Sequence, residues 1–236
     1  MMRLKNYKKE FDYSYVLGPF PTLELVETRP EILKSVYISP DFNRLEETKK
    51  LLNGLGIPYE IDQKNLNRIS TKKKEYMAGV FNKYKGKISP GKNHILLDNV
   101  SDMGNLGTII RTMVGFGYKD LALVGNCCDI FNPKVIRGSM GAFFKINFEE
   151  FSTLDDYKAI HDNKIYGFML KEDSKNIKAT KFEDDFTLAF GNEGRGLGEE
   201  YDNATISKVI IPQSEDVDSL NLTIAAAVAM YEALKY

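Results

Sequence analysis

The stretch from residue 187 to 227 constrains this chain more than any other. It reads TLAFGNEGRGLGEE, a short polar spacer, then KVIIPQSEDVDSLNLTIAAAVA. Two apolar runs, 188–190 and 209–211, have the length and hydrophobicity of buried strands. Each ends in a loop rich in Gly, Asn, Ser and Glu, and a strong helix former follows. Gly191, Gly194, Gly196 and Gly198 lie close together there, so the backbone can take positive φ angles or approach a ligand closely. Polar side chains at the carboxyl ends of buried parallel strands are the usual site geometry of open α/β sheets. The stretch therefore predicts the floor of an active site.

A chain of 236 residues has room for two domains of modest size. No apolar run approaches the ~18 residues that span a bilayer, and the start, MMRLKNYKKEF, lacks the apolar core of a signal peptide. Cys127 and Cys128 are adjacent, which argues against a structural disulfide and fits a reducing cytoplasm. His94 and His161 are the only histidines, so no clustered metal site is expected. The net charge of −1 hides an asymmetry. Residues 1–92 hold 18 Lys and Arg against 11 Asp and Glu, whereas residues 93–236 hold 14 against 22. That division suggests a first part that meets a polyanion such as RNA, with solubilisation of exposed helices as the plainer reading.

Residues 3–29 open with KNYKKEFDYSYVLG and then PFPTLELVET. Phe11, Tyr13, Tyr15 and Phe20 either stack on bases while lysines meet phosphates, or pack onto the domain. A strand at 36–38, a helix at 45–55, a strand at 58–61 and a short helix at 66–69 follow. Residues 76–93 read as a linker, and the SPGKN turn at 89–93 marks the boundary between domains 1–90 and 91–236. Beyond it the pattern is again β then α. It predicts strands at 95–97, 121–124, 143–146 and 165–170, helices at 133–137 and 154–162, and a last helix over 219–234. Asn105 or a neighbour caps a helix with the apolar face Ile109, Ile110, Met113, Val114 and Phe116. The fold class is α/β: a small N-terminal α/β domain, then one with a mostly parallel sheet of five or six strands.

Several chemistries are excluded by motif. The first loop of the second domain, DNVSDMGNLG, does not match G-x-G-x-x-G, and neither a P-loop nor a G-x-S-x-G elbow is present. What remains is Asn105, Arg111, Asn192, Glu193, Arg195, Ser219 and Asn221. These groups orient and hydrogen-bond but include no activated nucleophile. That suits direct transfer between two bound substrates.

Three segments resemble, in order and spacing, the signature motifs of the SpoU (TrmH) family of RNA ribose 2′-O-methyltransferases. They are NLGTIIRT at 105–112, FGNEGRGL at 190–197, and IPQ followed by DSLNLTIAAAV at 211–228. Residues 1–90 resemble, more loosely, the L30e-like substrate-binding domain that many members carry. The resemblance implies a deep C-terminal trefoil knot, which ordinary topology rules would never propose. It implies S-adenosylmethionine held largely by backbone at or near Gly191, Ile211 and Leu220, with Asn192 beside them. It assigns the key role to Arg111, with Asn105, Glu193, Ser219 and Asn221 completing the catalytic set and Arg195 and Arg137 reaching RNA. Ser139, in the same stretch as Arg137, is expected to line the site. Deprotonating a guanidinium at neutral pH costs roughly 7–8 kcal/mol, which favours a charged arginine over a basic one. The implied substrate is RNA, ribosomal in preference to transfer RNA, and the implied assembly is a cytoplasmic homodimer with no membrane segment and no metal. Ser219, Asn105 and Glu193 also admit plainer roles, as helix caps or a loop-ordering carboxylate.

Overall fold

The structure is a computed structural model that describes residues 3–70, 74–203 and 205–234. The chain divides into two compact units. One comprises Met1–Tyr84 with Asp129–Lys145, the other Lys85–Cys128 with Ile146–Tyr236. In chain order the first unit holds β1 (Tyr13–Leu17), α1 (Pro19–Thr28), β2 (Leu33–Ile38), α2 (Leu45–Gly54), β3 (Tyr59–Ile61), α3 (Gln63–Ile69) and β4 (Met77–Asn82). The second unit begins with β5 (His94–Asp98), α4 (Met103–Gly115) and β6 (Asp120–Val124). The segment carrying α5 (Pro133–Gly138) is part of the first unit. β7 (Asn147–Phe151), α6 (Leu154–Lys158), β8 (Lys164–Phe168), β9 (Lys175–Asn176), β10 (Phe186–Phe190), β11 (Ser207–Ile210) and α7 (Leu222–Glu232) complete the second.

The first unit is a four-stranded sheet in the order β1-β4-β2-β3, antiparallel except for the β2–β3 pair. Strands β1 and β4 fall where the sequence suggests a basic arm and a linker. Gly79 is the reason the second was missed. A Cβ there would come within 2.8 Å of Val16 Cγ1, so this glycine serves close strand packing rather than a turn. Tyr13 and Tyr15 are buried, which settles those two for packing, whereas Phe20 is 60% exposed. Residues 129–145 join this unit through aromatic burial. Phe131, Phe143 and Phe144 surround Phe81 with ring centroids 5.4–6.4 Å away, and Ser14 Oγ donates to the Phe131 carbonyl at 2.5 Å.

The second unit is a seven-stranded sheet, β7-β6-β5-β10-β8-β11-β9, and every pairing in it is parallel. That is one strand more than the upper expectation. Its central strands are buried along their length, as β5, β6 and β10 read in sequence. From β5 the chain builds outward to β6 and β7, then returns on the other side, with β10 inserted beside β5. The strand order therefore reverses between β5 and β10, the crevice where such sheets bind ligands.

Three local expectations are corrected. The apolar run at 143–146 is no strand but the end of a 3-10 turn, Ala142–Lys145, and the strand starts at Asn147. Helix α6 stops at Lys158, after a capping box between Thr153 and Asp156. The last helix starts at Leu222 and is capped by Asn221, whose side chain accepts from the Thr223 N–H at 2.8 Å, so Ser219 is not the cap. Among the described residues no helix is long and apolar enough to cross a membrane, and no group of three His, Cys, Asp or Glu could hold a metal ion.

Candidate active site

A cavity of about 450 Å³ opens at the carboxyl ends of β8, β10 and β11. Phe168 and Met169 contribute one wall and the loop from Gly191 to Leu197 a second. The segment from Ile210 to Leu220 and the first turns of α7 close the third side. Gly191, Asn192, Glu193, Arg195, Ile211, Ser219 and Leu220 all line it. The structure thus brings together residues some thirty apart in sequence because both loops follow strands of one sheet.

The glycine loop folds back on itself. Asn192 and Gly196 exchange backbone hydrogen bonds in both directions, at 3.1 and 2.8 Å, and Asn192 Oδ1 accepts from the Gly194 N–H at 3.0 Å. Gly196 has φ of 70°, which favours glycine. Gly191 is needed for a different reason from the one its sequence suggests. A Cβ there would sit 2.0 Å from the Gly196 carbonyl carbon and 2.2 Å from the Leu197 nitrogen. The atoms in the way belong to the loop, not to space reserved for a ligand.

Glu193 ties this loop to α4. Asn105 Nδ2 donates to its Oε1 at 3.1 Å, the Asp102 N–H to the same oxygen at 3.2 Å, and the Ser101 N–H to Oε2 at 3.5 Å. Burial is the largest single influence on the Glu193 carboxyl and opposes ionisation. Its own backbone N–H, Asn105 and the N–H groups of Asp102 and Ser101 together outweigh it, so the pKa is lowered and the group is ionised at neutral pH. Asn105 is not the helix cap. Asp102 is, and its Oδ1 accepts the Asn105 N–H at 2.7 Å, which leaves the Asn105 side chain free to reach Glu193.

Five predicted residues lie outside the cavity lining. Arg111 is exposed on α4, six residues beyond Asn105. Asn105 reaches the cavity only through Glu193, and Asn221 serves as the cap of α7. Arg137 lies on α5, in the first unit. Ser139 is buried, donating to the Ile136 carbonyl at 2.7 Å and accepting from the Phe143 N–H at 3.2 Å, so it holds a turn and lines no site.

Sequence reasoning passed over Asp98, Asn99, Met169, Lys171 and Tyr201. Asp98 is buried with its pKa raised by burial, against hydrogen bonds from Tyr201 and Asn99. Burial, reinforced by the Asp98 charge, holds the Tyr201 hydroxyl protonated. The signal for Asp98 and Asn99 was present. A polar pair directly after the apolar run at 95–97 repeats the pattern of Gly-Asn-Glu after 188–190.

Strand ends, a folded-back glycine loop and the first turns of α7 converge on one cavity and define an α/β domain with space for a small molecule at the carboxyl edge of its sheet. The chain belongs to the SpoU rRNA Methylase family, whose model matches residues 92–231. It is 34% identical over 143 residues to an uncharacterized tRNA/rRNA methyltransferase of Synechocystis sp., covering 59% of this chain and 52% of that protein. It is 31% identical over 164 residues to a 23S rRNA (guanosine-2′-O)-methyltransferase of Bacillus subtilis, covering 68% of this chain and 65% of that one. The chain therefore spans about half to two thirds of the length of these relatives. An AdoMet-bound rRNA methyltransferase from Sinorhizobium meliloti has the same fold, with a TM-score of 0.80 at 24% identity over 94% of this chain and 87% of that one.

Proposed function

We propose that this protein transfers a methyl group from S-adenosylmethionine to a ribose 2′-hydroxyl of RNA, ribosomal RNA in preference to transfer RNA. The observation that carries the reading is the Asn105–Glu193 link. It joins the helix that bears Arg111 to the glycine loop of a cavity sized for a small molecule. The cavity fits the donor in kind. Met169, Leu197, Ile211 and Leu220 offer apolar surface to an adenine ring, while the backbone at Gly191, Ile211 and Leu220 would hold the rest, with Asn192 ordering the loop. When bound, S-adenosylmethionine supplies an electrophilic sulfonium methyl group and needs no metal.

The chain's own residues then have positioning work to do. Glu193, ionised, fixes Asn105 and the first turn of α4. Arg111 stays charged, because a guanidinium is not deprotonated in proteins, and grips the phosphate beside the target ribose with two parallel hydrogen bonds. That grip aligns the hydroxyl while phosphate or water accepts its proton. Ser219 completes the pocket wall, Asn221 sets the start of α7, and Arg195 and Arg137 contact RNA backbone. The basic N-terminal domain, L30e-like in this reading, presents the RNA. The same reading threads the C-terminal segment as a trefoil knot. A cytoplasmic homodimer belongs to the same reading, supported by α7. That helix is alanine-rich and leaves Ile224 and Tyr231 more than half exposed, and light scattering should find twice the chain mass.

The decisive experiment maps 2′-O-methyl groups in total RNA from a deletion strain complemented with the wild type or with Arg111→Ala. One ribosomal position should vanish in the deletion and return only with the wild type. A lost transfer-RNA position with intact ribosomal RNA would change the substrate. No lost position, together with no binding of S-adenosylmethionine in calorimetry, would reject the enzyme.

A further inference from the structure

Asn99 sits one residue past β5 with φ of 52°. It and Met140 are the two non-glycine residues at positive φ among the described residues. A side chain in this region is unfavourable, least so for asparagine, and such conformations persist where surrounding bonds over-determine them. Around Asn99 every polar group is engaged. Its N–H donates to the Val124 carbonyl at the end of β6, 3.0 Å, and its Oδ1 accepts from the Asn126 N–H, 2.8 Å. Its Nδ2 donates to the Asp98 carboxylate, whose other oxygen accepts from the buried Tyr201 hydroxyl at 2.7 Å. The left-handed turn then aims its carbonyl at the glycine loop, where Asn192 Nδ2 donates to it at 2.9 Å. Gly125 makes room for this arrangement, since a Cβ there would fall 2.7 Å from Asn99 Oδ1.

We infer that Asp98, Asn99 and Tyr201 form a positioning unit that sets the glycine loop 191–197 for the methyl donor. The identity of the donor rests on the function proposed above; the linkage does not. Asn192 is the residue whose two backbone bonds and Oδ1 shape the loop, so one anchor on its Nδ2 fixes the whole turn relative to β5. Tyr201, fully buried, holds Asp98 from the other side and so transmits the core's rigidity to Asn99. None of the three lines the cavity, so they act through Asn192 rather than on a ligand.

The backbone conformation gives a discriminating test, because glycine adopts a φ of 52° freely and alanine does not. Asn99→Gly and Asn99→Ala remove the same side-chain bonds. If those bonds were merely structural, the two variants would behave alike. If the backbone turn positions the loop, Asn99→Ala weakens S-adenosylmethionine binding by roughly fivefold or more beyond Asn99→Gly, read by calorimetry on the full chain. Hydrogen exchange of residues 191–197 in the ligand-free protein should rise in the same order, with β6 unchanged. Equal affinities and equal exchange overturn the inference. If the wild type fails to bind S-adenosylmethionine, the methyl-donor reading falls and the exchange order still decides the positioning. Should Asn99→Ala fail to fold, Tyr201→Phe decides: faster exchange across 191–197 supports the unit, and unaltered exchange overturns it.

Discussion

The two ends of the parallel sheet use the same strands to opposite effect. At the amino end, His94 Nε2 lies 2.8 Å from the Ser89 carbonyl, and a carbonyl only accepts, so that nitrogen carries the proton. His94 Nδ1 must then accept from the Tyr157 hydroxyl at 2.7 Å, and Tyr157 in turn accepts from Thr187 Oγ1 at 2.6 Å. The relay is buried and saturated from within the core. At the carboxyl end, Asn99, Asn192 and Glu193 spend their hydrogen bonds on the backbone of neighbouring loops. The relay forms a buried plug between α6 and the starts of β5 and β10, while a walled cavity opens where β8, β10 and β11 end.

The largest predicted effect probes whether the ends are independent. Gly191→Ala drives a Cβ into the Gly196–Leu197 backbone and should weaken S-adenosylmethionine binding on the order of 100-fold by calorimetry, the scale of severe overpacking. Gly86→Ala makes a clash just as severe, 1.9 Å from the Phe148 carbonyl oxygen on β7, away from the cavity. It should lower Tm while the folded protein keeps its affinity. Matching losses of affinity in both variants would break the distinction. Glu193→Gln comes next. It keeps the shape but gives up the charge that donors of Ser101, Asp102, Asn105 and Asn192 address, so kcat/KM should fall roughly 10- to 100-fold with Tm nearly unchanged. Because hydrogen bonding lowers the Glu193 pKa, its titration should contribute no limb to the rate profile between pH 6 and 8.

Much of this carboxyl-end architecture could be read in the sequence, since buried parallel strands are short apolar runs and their loops are glycine- and asparagine-rich. Residues 95–97, 121–124 and 188–190 fall within observed strands, and 209–211 overruns the end of β11 by one residue, Ile211. Of the cavity residues, Gly191, Asn192, Glu193, Arg195 and Ser219 follow from the same pattern, whereas Ile211 and Leu220 follow from the family resemblance. What stayed hidden depends on contacts between distant segments. Gly79 reads as a breaker because the Val16 side chain it admits is 63 residues away. The aromatic triplet Phe131, Phe143 and Phe144 packs with Phe81 of the first unit, so no local pattern reveals that Asp129–Lys145 leaves the second. Asn105 and Asp102 are equally good caps by type, and only the reach of Asn105 to Glu193 separates them.

The smallest predicted effect tests whether the amino end is only a plug. His161 is the exception to its saturation: it is buried, 4.9 Å from the His94 ring centroid, and neither ring nitrogen has a partner. Burial lowers its pKa, as does His94, against the opposing pull of Glu149, Asp120 and Asp162; burial lowers that of His94 as well. Both are therefore neutral when folded, whereas the unfolded chain takes up protons below about pH 6.5. In that window the unfolded state binds more protons, so the histidines' contribution is fully present above about pH 6.5 and is lost as pH falls below it. His161→Leu removes one of the two titrating groups and an unsatisfied buried polar ring. Its Tm should fall less than the wild type's between pH 7.5 and 5.5. At pH 7.5 it should match the wild type or exceed it by about 2–4 °C, the equivalent of roughly 1 kcal/mol. Affinity for S-adenosylmethionine should not change, because the ring lies at the other end of the sheet. An identical acid shift in variant and wild type would mean that His161 does not report on the core's acid sensitivity, and a lost affinity would mean that the plug and the cavity are coupled after all.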